Sequence, residues 1–206
     1  ILAGGFGKRL WPLTNDVPKC MIHINGKPMI QYHIDWLKSY GIEKIAVACG
    51  YKWDVIKKHY GNSLIYSPEK EPLGTGGAMK QALQHVDSRE FIVVNCDDIN
   101  NIDIKKLQKM GSSAVCLSRF PSPFGVVDVD DGKVIRFRQK PMLPYWASMG
   151  VYLLNKAIKL PRIGAIETET FPKMSLKAYK HTGFWVTINT VKDLEDAAKT
   201  LKEYDL

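Results

Sequence analysis

Residues 45–67, IAVACGYKWDVIKKHYGNSLIYS, decide the fold class. Ile45 to Cys49 is a short, unbroken apolar run of the kind a buried strand presents. Trp53 to Tyr60 follows with helical spacing, and Ser63 to Ser67 reads as the next strand. The alternation continues outward. Upstream, Pro28 to Tyr40 places Ile30, Ile34 and Leu37 on one helical face, with Gly41 as its stop. Downstream come a helix over Gly76 to Val86, a strand over Phe91 to Asn95, a helix over Ile104 to Met110 and a strand over Ala114 to Leu117. Strand–helix–strand repetition at this spacing implies a mostly parallel sheet with helices on both faces, so the class is α/β.

After residue 120 the rhythm changes. Gly125 to Val129 and Lys133 to Arg138 alternate like short strands, joined by Asp130-Asp131-Gly132, a hairpin signal. Trp146 to Leu154 is another strand, residues 161–174 carry prolines and a short helix, and 177–187 add one or two strands. A last helix, Val191 to Glu203, aligns Val191, Leu194, Ala198 and Leu201. The expectation is a single domain over 1–206, with a core in 1–118, a β-rich half in 119–190 and a closing helix in 191–206.

The chain has 206 residues, 45% hydrophobic and 24% charged, an ordinary globular composition that argues against a disordered chain. No apolar run reaches the roughly 18–20 residues of a membrane span. The opening ILAGGFGKRL has glycines where a signal peptide needs an apolar stretch, and its first strand reads as cut short. Cys20, Cys49, Cys96 and Cys116 form no C-x-x-C pair, and the last three sit inside apolar runs. Buried free thiols are expected, with neither zinc nor a disulfide frame, in a soluble cytoplasmic protein. The net charge of +8 suits a nucleic acid or a small, highly anionic substrate. The lysines and arginines are scattered rather than gathered into a basic stripe, which speaks against nucleic acid.

Ile1-Leu2 leads straight into Ala3-Gly4-Gly5-Phe6-Gly7-Lys8-Arg9. A glycine-rich turn after a strand lets backbone N–H groups converge on phosphate oxygens with no Cβ in the way. Lys8 and Arg9 add formal positive charge beside that cradle. Neither G-K-[ST] nor G-x-G-x-x-G occurs. Asp97 ends the run FIVVNC, at the carboxyl end of a strand, where open α/β sheets bind ligands and where a carboxylate suits a hard divalent cation. Asp98 is its neighbour and competitor, expected to face solvent or to support Asp97.

Residues 2–37, LAGGFGKRLWPLTNDVPKCMIHINGKPMIQYHIDWL, closely resemble the signature of the sugar-1-phosphate nucleotidyltransferases: L-A-G-G-x-G-x-R-L-x-P-L-T, then P-K, then G-K-P-M/L. Further blocks agree, among them Glu71 to Ala78, Val94 to Asp97, Gln139-Lys140-Pro141, Gly150-Val151-Tyr152 and Gly183-Phe184-Trp185, so the resemblance covers essentially the whole chain. It implies a Rossmann-like three-layer fold with a nucleotide-binding half and a sugar-phosphate-binding half. The implied reaction is attack of a sugar-1-phosphate oxygen on the α-phosphorus of an NTP, giving an NDP-sugar and pyrophosphate with Mg²⁺. Positioning and charge neutralisation supply most of the catalysis in such chemistry.

Carried over residue by residue, the resemblance gives Gly4, Gly5, Gly7, Lys8 and Arg9 to the triphosphate and Lys19 to phosphates of both substrates. Leu2, Ala3 and Gly4 would line the base pocket, with Gly74, Thr75 and Gly76 over base or ribose. Gln139, Lys140 and Glu167 would hold the sugar phosphate, with Glu169 competing for the last role, and Gly125 and Gly150 would let the hexose approach. Asp97 is the first metal ligand. The aspartate of W-x-D-x-G-T is Thr187 here, so the second ligand is assigned to Asn189, whose rival role is capping the last helix. Gln139 and Thr187 keep open a non-catalytic relative, and transfer to another phosphate acceptor, such as phosphocholine, is a variant. Neither a nucleic acid nor a membrane is an expected partner, and homo-oligomerisation is left open.

Overall fold

The computed structural model describes residues 1–205. In chain order its first elements are β1 (Leu2–Ala3), a small hairpin of β2 (His23–Ile24) and β3 (Lys27–Pro28), α1 (Met29–Ser39), β4 (Ala46–Cys49), α2 (Trp53–Tyr60) and β5 (Ile65–Pro68). Next come α3 (Gly74–Ala82), β6 (Glu90–Val94), β7 (Asp98–Asn100), α4 (Ile104–Lys109) and β8 (Ala114–Pro121). The rest is β9 (Val126–Asp130), β10 (Lys133–Arg138), β11 (Met142–Asn155), α5 (Ile166–Glu169), β12 (Lys177–Lys180), β13 (Trp185–Thr187) and α6 (Val191–Glu203).

β5, β4 and β1 pair in parallel, and a parallel bridge from Leu2 to Asn95 carries the sheet on to β6. β11 then runs antiparallel between β6 and β8, and β12 adds a parallel edge to β8. The sheet is therefore parallel except for β11, a strand of the later half inserted into its middle. The expected strand over Trp146 to Leu154 begins four residues earlier, because Met142 and Trp146 still pair with the extended end of β8.

Successive residues along the central strands alternate between two cores. Val94, Ala114, Cys116, Val151 and Leu153 pack with Trp36 of α1 and Leu107 of α4. Val93, Val115, Tyr152 and Leu154 pack on the other side with Met79 of α3 and Ile166 of α5. This period of two with apolar residues on both faces is why the strands read as unbroken runs, and it makes the molecule three layers deep. A larger core joins β4 to α1, α2 and α6 through Val47, Cys49, Ile34, Leu37, Ile56 and Leu201. α6 starts where Thr190 accepts from the Asp193 N–H and Asp193 accepts from the Thr190 N–H, a reciprocal capping box. All four cysteines are free and buried, Cys49, Cys96 and Cys116 in the apolar runs and Cys20 in the turn after Pro18. Among the described residues no helix is long and apolar enough to cross a membrane.

Candidate active site

β1 delivers the glycine run to the carboxyl edge of the sheet. Gly7 sits at φ +61°, and a Cβ there would lie 2.9 Å from Thr14 Cγ2 and 3.0 Å from Lys19 Cβ, so the turn requires glycine. Gly5 is open instead: a Cβ there would find no protein atom within 4 Å, which leaves room for a ligand against the backbone. Leu10 is fully buried and anchors the tight turn Lys8–Leu10, leaving Arg9 free to reach across the site. Pro18 precedes a second tight turn, Lys19–Met21, pinned by buried Cys20 and Met21.

Four side chains meet there. Lys19 Nζ lies 2.6 Å from Asp97 Oδ2 and 3.2 Å from Asn189 Oδ1, and Arg9 Nη2 donates to the same Asn189 oxygen at 2.9 Å. Asp97 leaves the end of β6, and its carbonyl accepts from the Ile188 N–H at 2.9 Å. Asn189 Nδ2 donates to Thr187 Oγ1, so Thr187 orients the amide whose oxygen faces Lys19. The helix cap is Thr190, which frees the Asn189 side chain from that duty.

Asp98 turns the other way. Its carboxylate accepts from Trp185 Nε1 at 2.9 Å and lies 3.4 Å from Asn95 Nδ2, beneath Gly150, whose Cβ would fall 2.4 Å from Asp98 Oδ2. The expectation that it faces solvent is corrected: Asp98 is buried, because β7 pairs with β13 directly above the site. Burial, then the negative charge of Asp97, pushes its carboxyl up to about 7, against hydrogen bonds from Trp185, Thr187 and Asn95. His33, buried in α1, places Nε2 2.9 Å from the Cys96 carbonyl and braces the same strand end. Burial lowers its pKa to about 4.

An imidazole that charges at about 4 in the fold but at its ordinary 6.5 unfolded favours the unfolded chain as pH falls below 6.5. The group costs no stability above pH 6.5, and the destabilisation grows as pH falls, reaching roughly 3 kcal/mol near pH 4. Asp98, raised to about 7, tilts stability the opposite way over the same window. The His33 effect is therefore expected in the difference between wild type and His33→Gln, followed by urea unfolding from pH 7.5 to 4. Parallel pH dependences of the two proteins would refute it.

A cavity of about 510 Å³ opens over this cluster, a size that accommodates a nucleotide. Leu2, Ala3, Gly4, Gly5, Gly7, Lys8 and Arg9 line it together with Gly74 and Thr75, and so do Lys19, Asp97 and Asn189. Gly76 does not. Its N–H donates to the Gly164 carbonyl at 2.9 Å, and a Cβ would lie 2.7 Å from Pro161, so its smallness serves the packing of α3 on the 161–164 loop. Gly125, Gln139, Lys140, Gly150 and Glu167 also lie outside this lining. Glu167 nevertheless abuts it: Thr75 Oγ1 donates to Oε2 at 2.8 Å and the Tyr152 hydroxyl to Oε1 at 3.1 Å. Glu169 packs against Gly164 instead. A Cβ on Gly125 would meet the Phe137 ring at 2.7 Å, and Gln139 Oε1 at 3.3 Å.

Sequence reasoning missed Glu69. Half-buried in the wall, it accepts the Leu73 N–H at Oε2, and its Oε1 occupies the space a Gly4 side chain would take. Burial raises its pKa. In S-P-E-K-E-P nothing separates it from Glu71 until the turn after β5 is seen. Among the described residues no three His, Cys, Asp or Glu side chains converge. The donors available to a cation are the Asp97 carboxylate and the Asn189 amide oxygen, both hard, as Mg²⁺ prefers.

The family described as Nucleotidyl transferase matches residues 1–203. A D-glycero-alpha-D-manno-heptose 1-phosphate guanylyltransferase of Campylobacter jejuni is 39% identical over 77% of this chain and 76% of its own length. Mannose-1-phosphate guanyltransferase 2 of Candida glabrata is 34% identical over 94% of this chain, which spans 61% of that relative. Among solved structures, HddC from Yersinia pseudotuberculosis complexed with GMP-PN superimposes with a TM-score of 0.76 at 28% identity, covering 97% of each chain. The glycine run, the strand-end aspartate and the lysine between them converge on one cavity, and the family match spans residues 1–203: the chain belongs to the nucleotidyl transferase family, among its sugar-1-phosphate nucleotidyltransferases.

Proposed function

We propose that this chain transfers the guanylyl group of GTP to the phosphate of a manno-configured sugar 1-phosphate, releasing pyrophosphate and an NDP-sugar. The observation that carries the reading is the placement of Lys19, within 3.2 Å of both Asp97 and Asn189 at the mouth of the glycine turn. An ammonium there neutralises charge on the α-phosphate and on the attacking sugar phosphate together, where an in-line displacement concentrates it. The Gly4–Gly7 backbone and Lys8 and Arg9 take the β- and γ-phosphates. Mg²⁺, held by Asp97 and Asn189, would supply Lewis-acid charge to the phosphate oxygens. Glu167, steadied by Thr75 and Tyr152, accepts from sugar hydroxyls, with Gln139, Lys140, Gly125 and Gly150 forming the rest of the sugar-phosphate half in 119–190. With four buried free thiols, the cytoplasm is the compartment we assign.

The base is read at Glu69. Guanine alone among the common bases offers a ring N–H and an adjacent amino group together, and a carboxylate accepts from both. The names of the relatives favour the same base. Glu69→Gln replaces one of the two acceptor oxygens with a donor amide nitrogen, and its mismatch with the guanine edge costs about 1–3 kcal/mol, or roughly 5–150-fold in preference for GTP over UTP and dTTP. Pyrophosphate release from five NTPs against a panel of sugar 1-phosphates tests both points. Preference for a pyrimidine triphosphate in the wild type overturns the base assignment, and no release with any pair overturns the function.

A further inference from the structure

We propose that Arg119, Lys180 and Trp146 form an anion-binding subsite at the far end of the sugar pocket, so that the acceptor is an acidic sugar 1-phosphate. Such a sugar carries a second anionic group, carboxylate or phosphate, at the end remote from its anomeric phosphate. The subsite belongs to the sugar-phosphate half proposed above and rests on that reading. β6, β8 and β12 run the same way, so Arg119 late in β8 and Lys180 at the end of β12 reach the same carboxyl edge of the sheet as Asp97. Trp146, on the antiparallel β11, lies directly opposite Arg119. Lys180 pairs with Leu117, two residues back along β8 and so on the same face. The indole takes both cations: the Arg119 guanidinium carbon is 4.8 Å and Lys180 Nζ 5.2 Å from the ring centre.

A polar track leads there from the nucleotide cavity. Thr75, in the cavity wall, donates to one Glu167 oxygen at 2.8 Å, and the Tyr152 hydroxyl donates to the other at 3.1 Å. Ser148 Oγ lies 3.3 Å from that hydroxyl and is exposed. Trp146 stands two residues earlier on the same face of β11, about 7 Å further along the strand. That step is comparable to the span of a hexose. A sugar whose hydroxyls meet Glu167 and Ser148 therefore presents its far carbon to the two cations.

The pair differs from the general basic surface. Lys8, Lys27, Lys52 and Lys57 each stand over one ring of their own short segment. Among the described residues Trp146 alone carries two cations, and the sheet brings them from two other strands. Arg119 Nη1 donates to the Leu143 carbonyl at 3.1 Å, which fixes the guanidinium while the residue stays exposed. Among the described residues neither cation has a carboxylate partner. Two like charges held on one ring without a counter-ion repel each other; an anion beside them relieves that repulsion and gains charge-assisted hydrogen bonds. A planar fork next to an ammonium suits a carboxylate and a phosphate alike. The same pair repels a quaternary ammonium and already occupies the indole such a group would need, which tells against phosphocholine as the acceptor.

Calorimetric binding and pyrophosphate release, the latter with GTP or whichever NTP the chain accepts, test the subsite. The probes are mannose 1-phosphate, mannose 1,6-bisphosphate and mannuronic acid 1-phosphate. At least one acidic probe is expected to exceed mannose 1-phosphate by about tenfold or more in affinity or kcat/KM, and the better of the two tells phosphate from carboxylate. In Arg119→Gln/Lys180→Gln, which alters exposed side chains alone, that preference should fall at least about tenfold. Mannose 1-phosphate bound or used as well as both acidic probes overturns the subsite and leaves the transferase reading intact. So does an acidic preference that survives in the double variant. No release from any pair, with an acidic probe still bound selectively through Arg119 and Lys180, overturns the transferase reading and keeps the subsite. Neither binding nor release overturns both.

Discussion

Replacing Lys19 with alanine is expected to lower turnover by roughly 10²–10³-fold while leaving the fold intact. The amine lies between the Asp97 carboxylate and the Asn189 amide oxygen, with its side chain 16% exposed, so it is held at one point and does not sweep the surface. A charge fixed in advance at the place where phosphate charge builds in the transition state stabilises that state more than the ground state. The loss should therefore fall on turnover more than on the KM for nucleotide. Folding should tolerate the change, since the Asp97 side chain is 30% exposed and can be hydrated once its partner is gone. Lys19→Arg should recover only part of the rate, because the planar guanidinium is larger and points its donors differently. Pyrophosphate release under saturating substrates, with circular dichroism as the folding control, measures this. Turnover within about threefold of wild type would remove Lys19 from the mechanism.

The readable parts of the molecule were those governed by short-range rules. The paired faces of β6, β8 and β11 make unbroken apolar runs, the Thr190–Asp193 box fixes the start of α6, and Asp131-Gly132 dictates its turn. The glycine run was legible as a tight turn, and its role and that of Lys19 were legible through the family signature that residues 2–37 resemble. What stayed hidden depends on partners distant in sequence. The burial of Asp98 shows only once β13 closes over it with Trp185. Glu69 acquires meaning only when Gly4, sixty-five residues earlier, faces it. Gly76 looks like a ligand glycine in G-T-G-G, yet its neighbour is Pro161. The insertion of β11 into the sheet follows from register, which alternation alone does not assign.

Asp97→Asn should reduce Mg²⁺-dependent turnover about 10²–10³-fold, the several kcal/mol expected when a metal site loses its only carboxylate. Asp98→Asn should stay within a few fold of wild type. Its carboxyl, carried up to about 7 by burial and by Asp97, is already partly protonated near neutrality, and a neutral amide of the same shape can still accept from Trp185 Nε1. Removing the Asp98 charge also relieves repulsion at Asp97. The second ligand position is separated by three further variants. If Asn189 Oδ1 faces the cation, Asn189→Asp keeps turnover and lowers the Mg²⁺ concentration for half-saturation, because Mg²⁺ readily exchanges a neutral oxygen donor for a charged one. Asn189→Ala raises that concentration. Thr187→Ala reaches the cation only indirectly, through the lost 3.2 Å contact to Asn189 Nδ2 and the lost hydrogen bond to Asp98, and so shifts it less than Asn189→Ala. Mg²⁺ titrations of the five proteins order these effects. Equal losses at Asp97 and Asp98 would place the metal between the two carboxylates, and a larger effect at Thr187 than at Asn189 would move the second ligand to the threonine.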